Sequence, residues 1–231
     1  MKPEPLFYQL FEPESSTYTY LIADPISRSA ALIDSVFETI ERDWELISGL
    51  GLNLEYLLET HIHADHVSGA ASLRKRSGAK LCVSENAKVE SADVTLRDSM
   101  ILPLGGYEIK VITTPGHTNT CCSFYFHGKV FTGDALMIRG CGRTDFQDGS
   151  AEALFKSVRE KLFTLPDDTL VYPAHDYKGQ KSSTIGLEKK ENPRLGFDKT
   201  LPEFVKIMNE LNLDPPKKMK ESVPANLRGG K

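Results

Sequence analysis

Three of the chain's six histidines fall in one short stretch, Thr60-His61-Ile62-His63-Ala64-Asp65-His66, with a carboxylate between the second and third. A neutral imidazole nitrogen binds first-row metals, and a carboxylate adds charge and an oxygen donor. So dense a cluster is poorly explained as packing, and metal ligation is the chemistry it points to. Two more histidines stand in short loops after strand-like segments. They are His117, in Thr114-Pro115-Gly116-His117-Thr118, and His175, in Pro173-Ala174-His175-Asp176-Tyr177. Asp134 closes a similar loop, Thr132-Gly133-Asp134. Each later loop alone is a weak signal, since a lone histidine is usually a hydrogen-bonded structural residue. Their joint occurrence at strand ends that could meet at one edge is specific. His127, beside Gly128 in a hairpin turn, reads as a surface residue. By residue count the site could hold two metals. One would take His61, His63 and His117, the other Asp65, His66 and His175, with Asp134 bridging. Two zinc ions so placed would make a hydrolase by lowering the pKa of a shared water.

The elements that must position these loops are legible from periodicity. Leu6 to Phe11 and Thr17 to Ile22 alternate as antiparallel strands, and Ala30 to Asp34 is a third. A helix starts at Thr39, with Ile40, Trp44, Ile47 and Leu50 on one face, and stops at Gly49 and Gly51. Leu54 to Glu59 is the strand that delivers the histidine-rich loop, and Val67 to Arg76 the helix after it. Further strands are expected at Lys80 to Val83, Ser99 to Leu102, Tyr107 to Thr113, Cys121 to Phe126, Lys129 to Phe131 and Asp168 to Tyr172. Ser150 caps a helix over Ala151 to Phe163, and two more helices are expected near Ser182 to Glu191 and Leu201 to Leu211. The glycines of Gly140-Cys141-Gly142 let the backbone approach something closely. Strand-rich halves that each finish in helices predict two sheets with helices outside. That is an αββα sandwich of the α+β class, here one domain over residues 1–231 with a poorly patterned tail, 213–231.

Composition excludes several classes. With 231 residues, 40% hydrophobic and 26% charged, the chain can bury a sizeable core. A net charge of −4 with interspersed signs gives no basic face for nucleic acid. No stretch approaches the ~20 apolar residues of a membrane span, and no apolar signal region follows Met1, so the expected location is cytoplasmic. The four cysteines, Cys82, Cys121, Cys122 and Cys141, show no CxxC spacing and read as reduced, mostly buried thiols.

The histidine-rich loop, together with Pro-Gly-His-Thr, Thr-Gly-Asp and Pro-Ala-His-Asp, resembles the metallo-β-lactamase superfamily, whose fold is that αββα sandwich. The segments Phe131 to Phe146, Val171 to Tyr177, Asn192-Pro193-Arg194, Glu203 to Met208 and Val223 to Asn226 more closely resemble the persulfide dioxygenases of the ethylmalonic-encephalopathy protein type. The resemblance runs from about Thr17 to Asn226. It implies one Fe(II) per chain held by His61, His117 and Asp134, a 2-His-1-carboxylate face with adjacent open positions for a persulfide sulfur and O₂. His63, Asp65, His66, His175 and Asp176 would then sit behind the metal, orienting ligands and holding water.

The implied reaction converts glutathione persulfide, O₂ and water into sulfite and glutathione. A substrate with carboxylates calls for cationic contacts. Arg143 is the first candidate, with Tyr177, Asn226 and Arg228 behind it. The competing reading of Arg143 is a structural arginine tied to Asp145 or another acid, and for Arg228 a solvated tail charge is preferred. Relatives suggest a homodimer. The rival reading is glyoxalase II, a dinuclear hydrolase of glutathione thioesters with the same histidine-rich loop. Its extended helical glutathione-binding region is not seen here, and the Arg143-Thr144-Asp145 block suits the dioxygenases better. A metal-binding scaffold without activity has no need of open metal positions.

Overall fold

The computed structural model describes residues 2–216 and 218–231. Two six-stranded sheets form the centre. In the first, β1 (Leu6–Glu12), β2 (Thr17–Ala23) and β3 (Ser29–Ile33) run antiparallel, and β4 (Asn53–Leu58), β5 (Lys80–Ser84) and β6 (Val94–Leu96) continue parallel to β3. The second contains β7 (Ile101–Leu104), β8 (Tyr107–Thr113), β9 (Cys122–Phe126) and β10 (Lys129–Gly133) as an antiparallel meander. It is extended by β11 (Leu170–Pro173) parallel to β10 and by the two-residue β12 (Ser183–Thr184).

Three apolar layers hold the molecule together. Side chains from the inner faces of both sheets, including Tyr20, Leu58, Phe124 and Phe131, fill the space between them. The outer face of the first sheet packs on α1 (Ile40–Gly49) and α2 (Ala70–Ser77) through Leu21, Ile47 and Leu73. The outer face of the second packs on α3 (Ala151–Glu160) and α5 (Leu201–Asn209) through Leu154, Val158 and Phe204. This is the αββα arrangement expected, because each sheet carries one apolar face per neighbour. Local signals act as read. Ser150 Oγ accepts from Ala153 N at the start of α3, and Glu203 reaches back to Thr200 N at the start of α5.

The site edge is set by direction. β4 of one sheet and β8, β10 and β11 of the other all end at the same rim, the place where open sheets expose ligand-binding loops. Backbone bonds stitch the sheets together there. Tyr18 N donates to Ala174 O at 2.7 Å, and Cys122 N donates to Thr60 O at 2.7 Å.

Three differences from expectation bear on function. α2 starts at Ala70 rather than Val67, because Ser68 is held in an isolated antiparallel bridge to Val36, with Phe37 N donating to Val67 O and Gly69 N to Ser35 O. The short edge strand β6 was too brief for a periodicity signal. The tail is also built. α4 (Ile185–Glu191) is followed by α5 and then by α6 (Met219–Asn226), which packs Val223 against the first sheet's outer layer. Its apolar positions are too few to show in the sequence. No helix is long and apolar enough to cross a membrane among the described residues.

Candidate metal centre and its cleft

Each candidate ligand arrives on a strand end. His61 lies just past β4, His117 in the β8–β9 loop, and Asp134 directly after β10. The structure brings ligand atoms of His61, His117 and Asp134 within 4.8 Å of one another. His117 Nε2 lies 3.6 Å from Asp134 Oδ2.

The imidazoles are oriented from behind. His117 Nδ1 is 2.6 Å from the carbonyl of Arg143, which can only accept, so Nδ1 carries the proton and Nε2 faces the centre. His61 Nδ1 is 3.0 Å from Thr60 Oγ1, and that hydroxyl donates to Asp34 Oδ2 at 2.9 Å, so His61 presents Nε2 as well. Burial, with His63 and His117 nearby, lowers the His61 pKa well below its usual value and keeps the ring neutral, the ligating form. Glycines make this packing possible. A Cβ on Gly142 would sit 2.7 Å from His117 Nδ1, and one on Gly133, at φ +54°, would sit 2.6 Å from Thr60 Oγ1. The close approach expected of the glycine block is therefore to a candidate ligand's ring.

His175 does something different. Its Nδ1 meets Asp134 Oδ1 at 2.7 Å, and its Nε2 meets Asp65 Oδ2 at 3.0 Å. Burial opposes its charge, but the two carboxylates outweigh burial and raise its pKa well above the usual value. Burial likewise works against the Asp134 carboxylate, yet His175, His117 and His61 together lower its pKa. Asp65 also meets His66 Nδ1 at 2.9 Å, and its pKa falls well below normal against burial because of His175 and His66. A second group of possible ligand atoms, on His63, Asp65 and His66, also lies within 4.8 Å. His63 and His66 are fully buried, and His63 Nε2 is 3.1 Å from Asp34 Oδ1. Asp176 is buried, and its carboxylate accepts from Lys178 N and Gln180 N, shaping the loop rather than touching the centre.

The centre opens into a cleft of about 510 Å³, with His61, His117 and Asp134 among its lining. Its walls carry Met137, Ile138, Leu213 and Pro216 as apolar surface and Arg139, Arg143, Lys178 and Arg194 as cations. Tyr177 stands at the mouth, 71% exposed, its ring parallel to His175 at 6.1 Å.

Arg143 lines the cleft, but its guanidinium is engaged. It pairs twice with Asp145, at 2.7 Å each, and donates to the carbonyls of Leu213 and Asp214. It pins one wall, the competing reading of that residue. The structure does not bring Asn226 or Arg228 to the cleft. Asn226 is buried beneath the histidine-rich loop, and Arg228 is exposed at the tail, where it donates to Lys231 O. Substrate contact is set aside for both. Arg194 is the cation that sequence reasoning passed over. It lines the cleft, donates to Cys141 O at 3.1 Å, and has no acidic partner among the described residues. Its signal was present in Asn192-Pro193-Arg194, but nothing in that triplet says which way the arginine points. Arg139 is committed to Glu188 and Glu191. All four cysteines are free and buried, and His127 is exposed, as read.

A family model described as the metallo-beta-lactamase superfamily matches residues 13–175, and the chain belongs to that superfamily. Within it, the chain is 48% identical over 227 residues to the protein named persulfide dioxygenase ETHE1, mitochondrial, of Bos taurus, covering 97% of this chain and 89% of that one. The crystal structure of ETHE1 from Myxococcus xanthus superposes with a TM-score of 0.95 at 46% identity, covering 98% of this chain and 100% of that one. A protein named glyoxylase B2 from Dictyostelium discoideum is more distant, at 32% identity over 95% of this chain and 89% of its own length. The chain is thus a member of the persulfide dioxygenase family.

Proposed function

We propose that the chain is a persulfide dioxygenase that oxidises glutathione persulfide to sulfite and glutathione with O₂ and water, using one Fe(II) held by His61, His117 and Asp134. The carrying observation is the asymmetry of the histidines. His61 and His117 each have Nδ1 occupied from behind and Nε2 turned to the centre, whereas His175 has both nitrogens taken by Asp134 and Asp65. Two neutral imidazoles and one carboxylate form the donor set that suits non-haem Fe(II) with open positions. Bound there, Fe(II) would supply open coordination positions and the electrons that activate O₂.

The chain's own residues do the rest. His175 holds Asp134 ionised and fixed in direction, and Asp65 holds His175. The apolar wall of Met137, Ile138, Leu213 and Pro216 limits water around the reacting sulfur. Arg194 is the anchor we assign to a substrate carboxylate, with Lys178 and Tyr177 at the mouth. Four free, buried thiols suit a reducing compartment, and a cytoplasmic location is part of the reading. So are a homodimer and a single domain over residues 1–231, both checked by light scattering and limited proteolysis. The dinuclear glyoxalase II reading is disfavoured because the chain is 48% identical to a protein named persulfide dioxygenase and only 32% identical to one named glyoxylase. The test is oxygen uptake. The enzyme is expected to consume O₂ with glutathione persulfide and to leave S-lactoylglutathione intact; hydrolysis of the thioester with no oxygen uptake refutes the assignment.

A further inference from the structure

We propose that Asn226, near the far end of the chain, is a positioning residue for the metal centre, clamping the loop that follows His61 and setting how tightly the centre keeps its metal. The inference rests on the metal reading of His61, His117 and Asp134. Asn226 is 5% exposed, and its side-chain amide is spent on one loop. Nδ2 donates to His63 O and to His66 O, each at 2.9 Å, and Oδ1 accepts from Ser68 N at 2.8 Å. The partners fix the amide's orientation, since two carbonyls can only accept and a backbone N–H can only donate.

The loop needs such a partner. Residues 60–68 belong to no helix or strand, and apart from the isolated bridge of Ser68 to Val36 and the backbone bonds of Thr60 and Val67, their buried backbone groups have no ladder to pair with. A side chain with two donors and one acceptor satisfies three of them at once. It also bridges the carbonyls on either side of Asp65. From Asp65 a short chain leads inward, through Oδ2 to His175 Nε2 at 3.0 Å and from His175 Nδ1 to Asp134 Oδ1 at 2.7 Å. A shift of the loop therefore reaches a candidate metal ligand through two hydrogen bonds.

The tail that carries Asn226 is seated on the same loop. Gly230, at φ +85°, donates its N–H to Ala225 O at 3.0 Å, and a Cβ on it would lie 2.6 Å from Ser68 O. Gly229, at φ +78°, would place a Cβ 2.5 Å from Ser91 Oγ. The glycine pair that closes α6 is what lets the last turn lie against residues 68 and 91. The weakly patterned tail is thus a strap whose single buried amide grips the metal-bearing loop.

The test uses the iron-loaded full chain and two variants, Asn226→Ala and the isosteric Asn226→Asp, which keeps the acceptor and loses both donors. Release of iron to an excess of chelator is expected to speed by about tenfold or more in each, the scale on which residues behind a metal act. Amide exchange at Ser68 is expected to speed in Asn226→Ala while the β4 amides of Leu57 and Leu58 keep the wild-type rate. Iron release within about twofold of wild type in folded Asn226→Asp, or exchange that speeds equally at Ser68 and in β4, overturns the proposal, because it shows only a contribution to overall stability. Wild-type protein and His61→Ala serve as references. If wild type keeps no iron, or His61→Ala keeps as much, the metal reading fails, and the exchange result still reports on the clamp itself.

Discussion

Gly142→Ala isolates the role of the glycine block in shaping the metal centre. A Cβ at 142 would sit 2.7 Å from His117 Nδ1 and 2.8 Å from Asp134 O, where ordinary contact begins at 3.4 Å. Gly142 N donates to Asp134 O at 2.7 Å, which holds the backbone on that side, so the His117 ring must yield. The retreat is about 0.7 Å, and misplacements approaching an ångström at a reacting centre cost on the order of 10²-fold in rate. Overpacking of this kind also destabilises by about 1–3 kcal/mol. Because no left-handed backbone angle is involved, the penalty is steric alone. The assay is kcat/KM by oxygen uptake, with iron content measured on the same sample. Gly140→Ala is the control, since its Cβ would meet nothing nearer than Met137 Cβ at 4.0 Å. Activity and iron content within about twofold of wild type in Gly142→Ala would refute the packing argument.

The other predictions are more compact. His61→Ala, His117→Ala and Asp134→Ala should each strip the metal, whereas His66→Ala should leave most of it, as read by metal analysis; equal loss in His66→Ala would contradict a single-metal centre. His175→Leu should weaken iron retention by about 10- to 100-fold without abolishing it, because it frees Asp134 and Asp65 rather than removing a ligand. Arg194→Ala should raise KM for glutathione persulfide by about tenfold or more, the worth of one charged hydrogen bond, with kcat nearly unchanged; an unaltered KM removes Arg194 from the substrate site. The thiols should be silent to a disulfide reagent at pH 8 in the native protein, because burial pushes Cys82 and Cys121 up to about 12 and Cys141 to about 11, leaving almost no thiolate until unfolding. Reaction of even one thiol without denaturant would show that burial has been misjudged.

The residues that meet at the centre were legible because their chemistry is unusual and their loops follow strong strands. Residue count left the ligand sets open and the resemblance singled out His61, His117 and Asp134; their ligand atoms lie within 4.8 Å of one another, as do those of His63, Asp65 and His66. What the sequence concealed depended on direction and on partners far along the chain. Arg143 and Arg194 are both arginines beside the cleft, but only the fold shows that Asp145 occupies the first and that no acid among the described residues occupies the second. The sequence offers Asn226 as a substrate contact in a weakly patterned tail, whereas its place in the fold follows from contacts some 160 positions away that no periodicity encodes. α6 escaped notice because its apolar positions are few and Pro224 interrupts the expected helical composition. The late start of α2 has a similar origin, since Ser68 is bridged to Val36, far back in the chain, instead of beginning a helix.

The central claim is that His61, His117 and Asp134 form a single-iron centre in which His175 is a support and not a ligand. Metal content per chain, measured by elemental analysis on protein purified and loaded anaerobically with Fe(II), tests it most directly. The account predicts about one iron per chain, lost in His117→Ala and retained in part in His175→Leu. Two tightly held metals per chain, with one of them lost in His175→Leu, would contradict it.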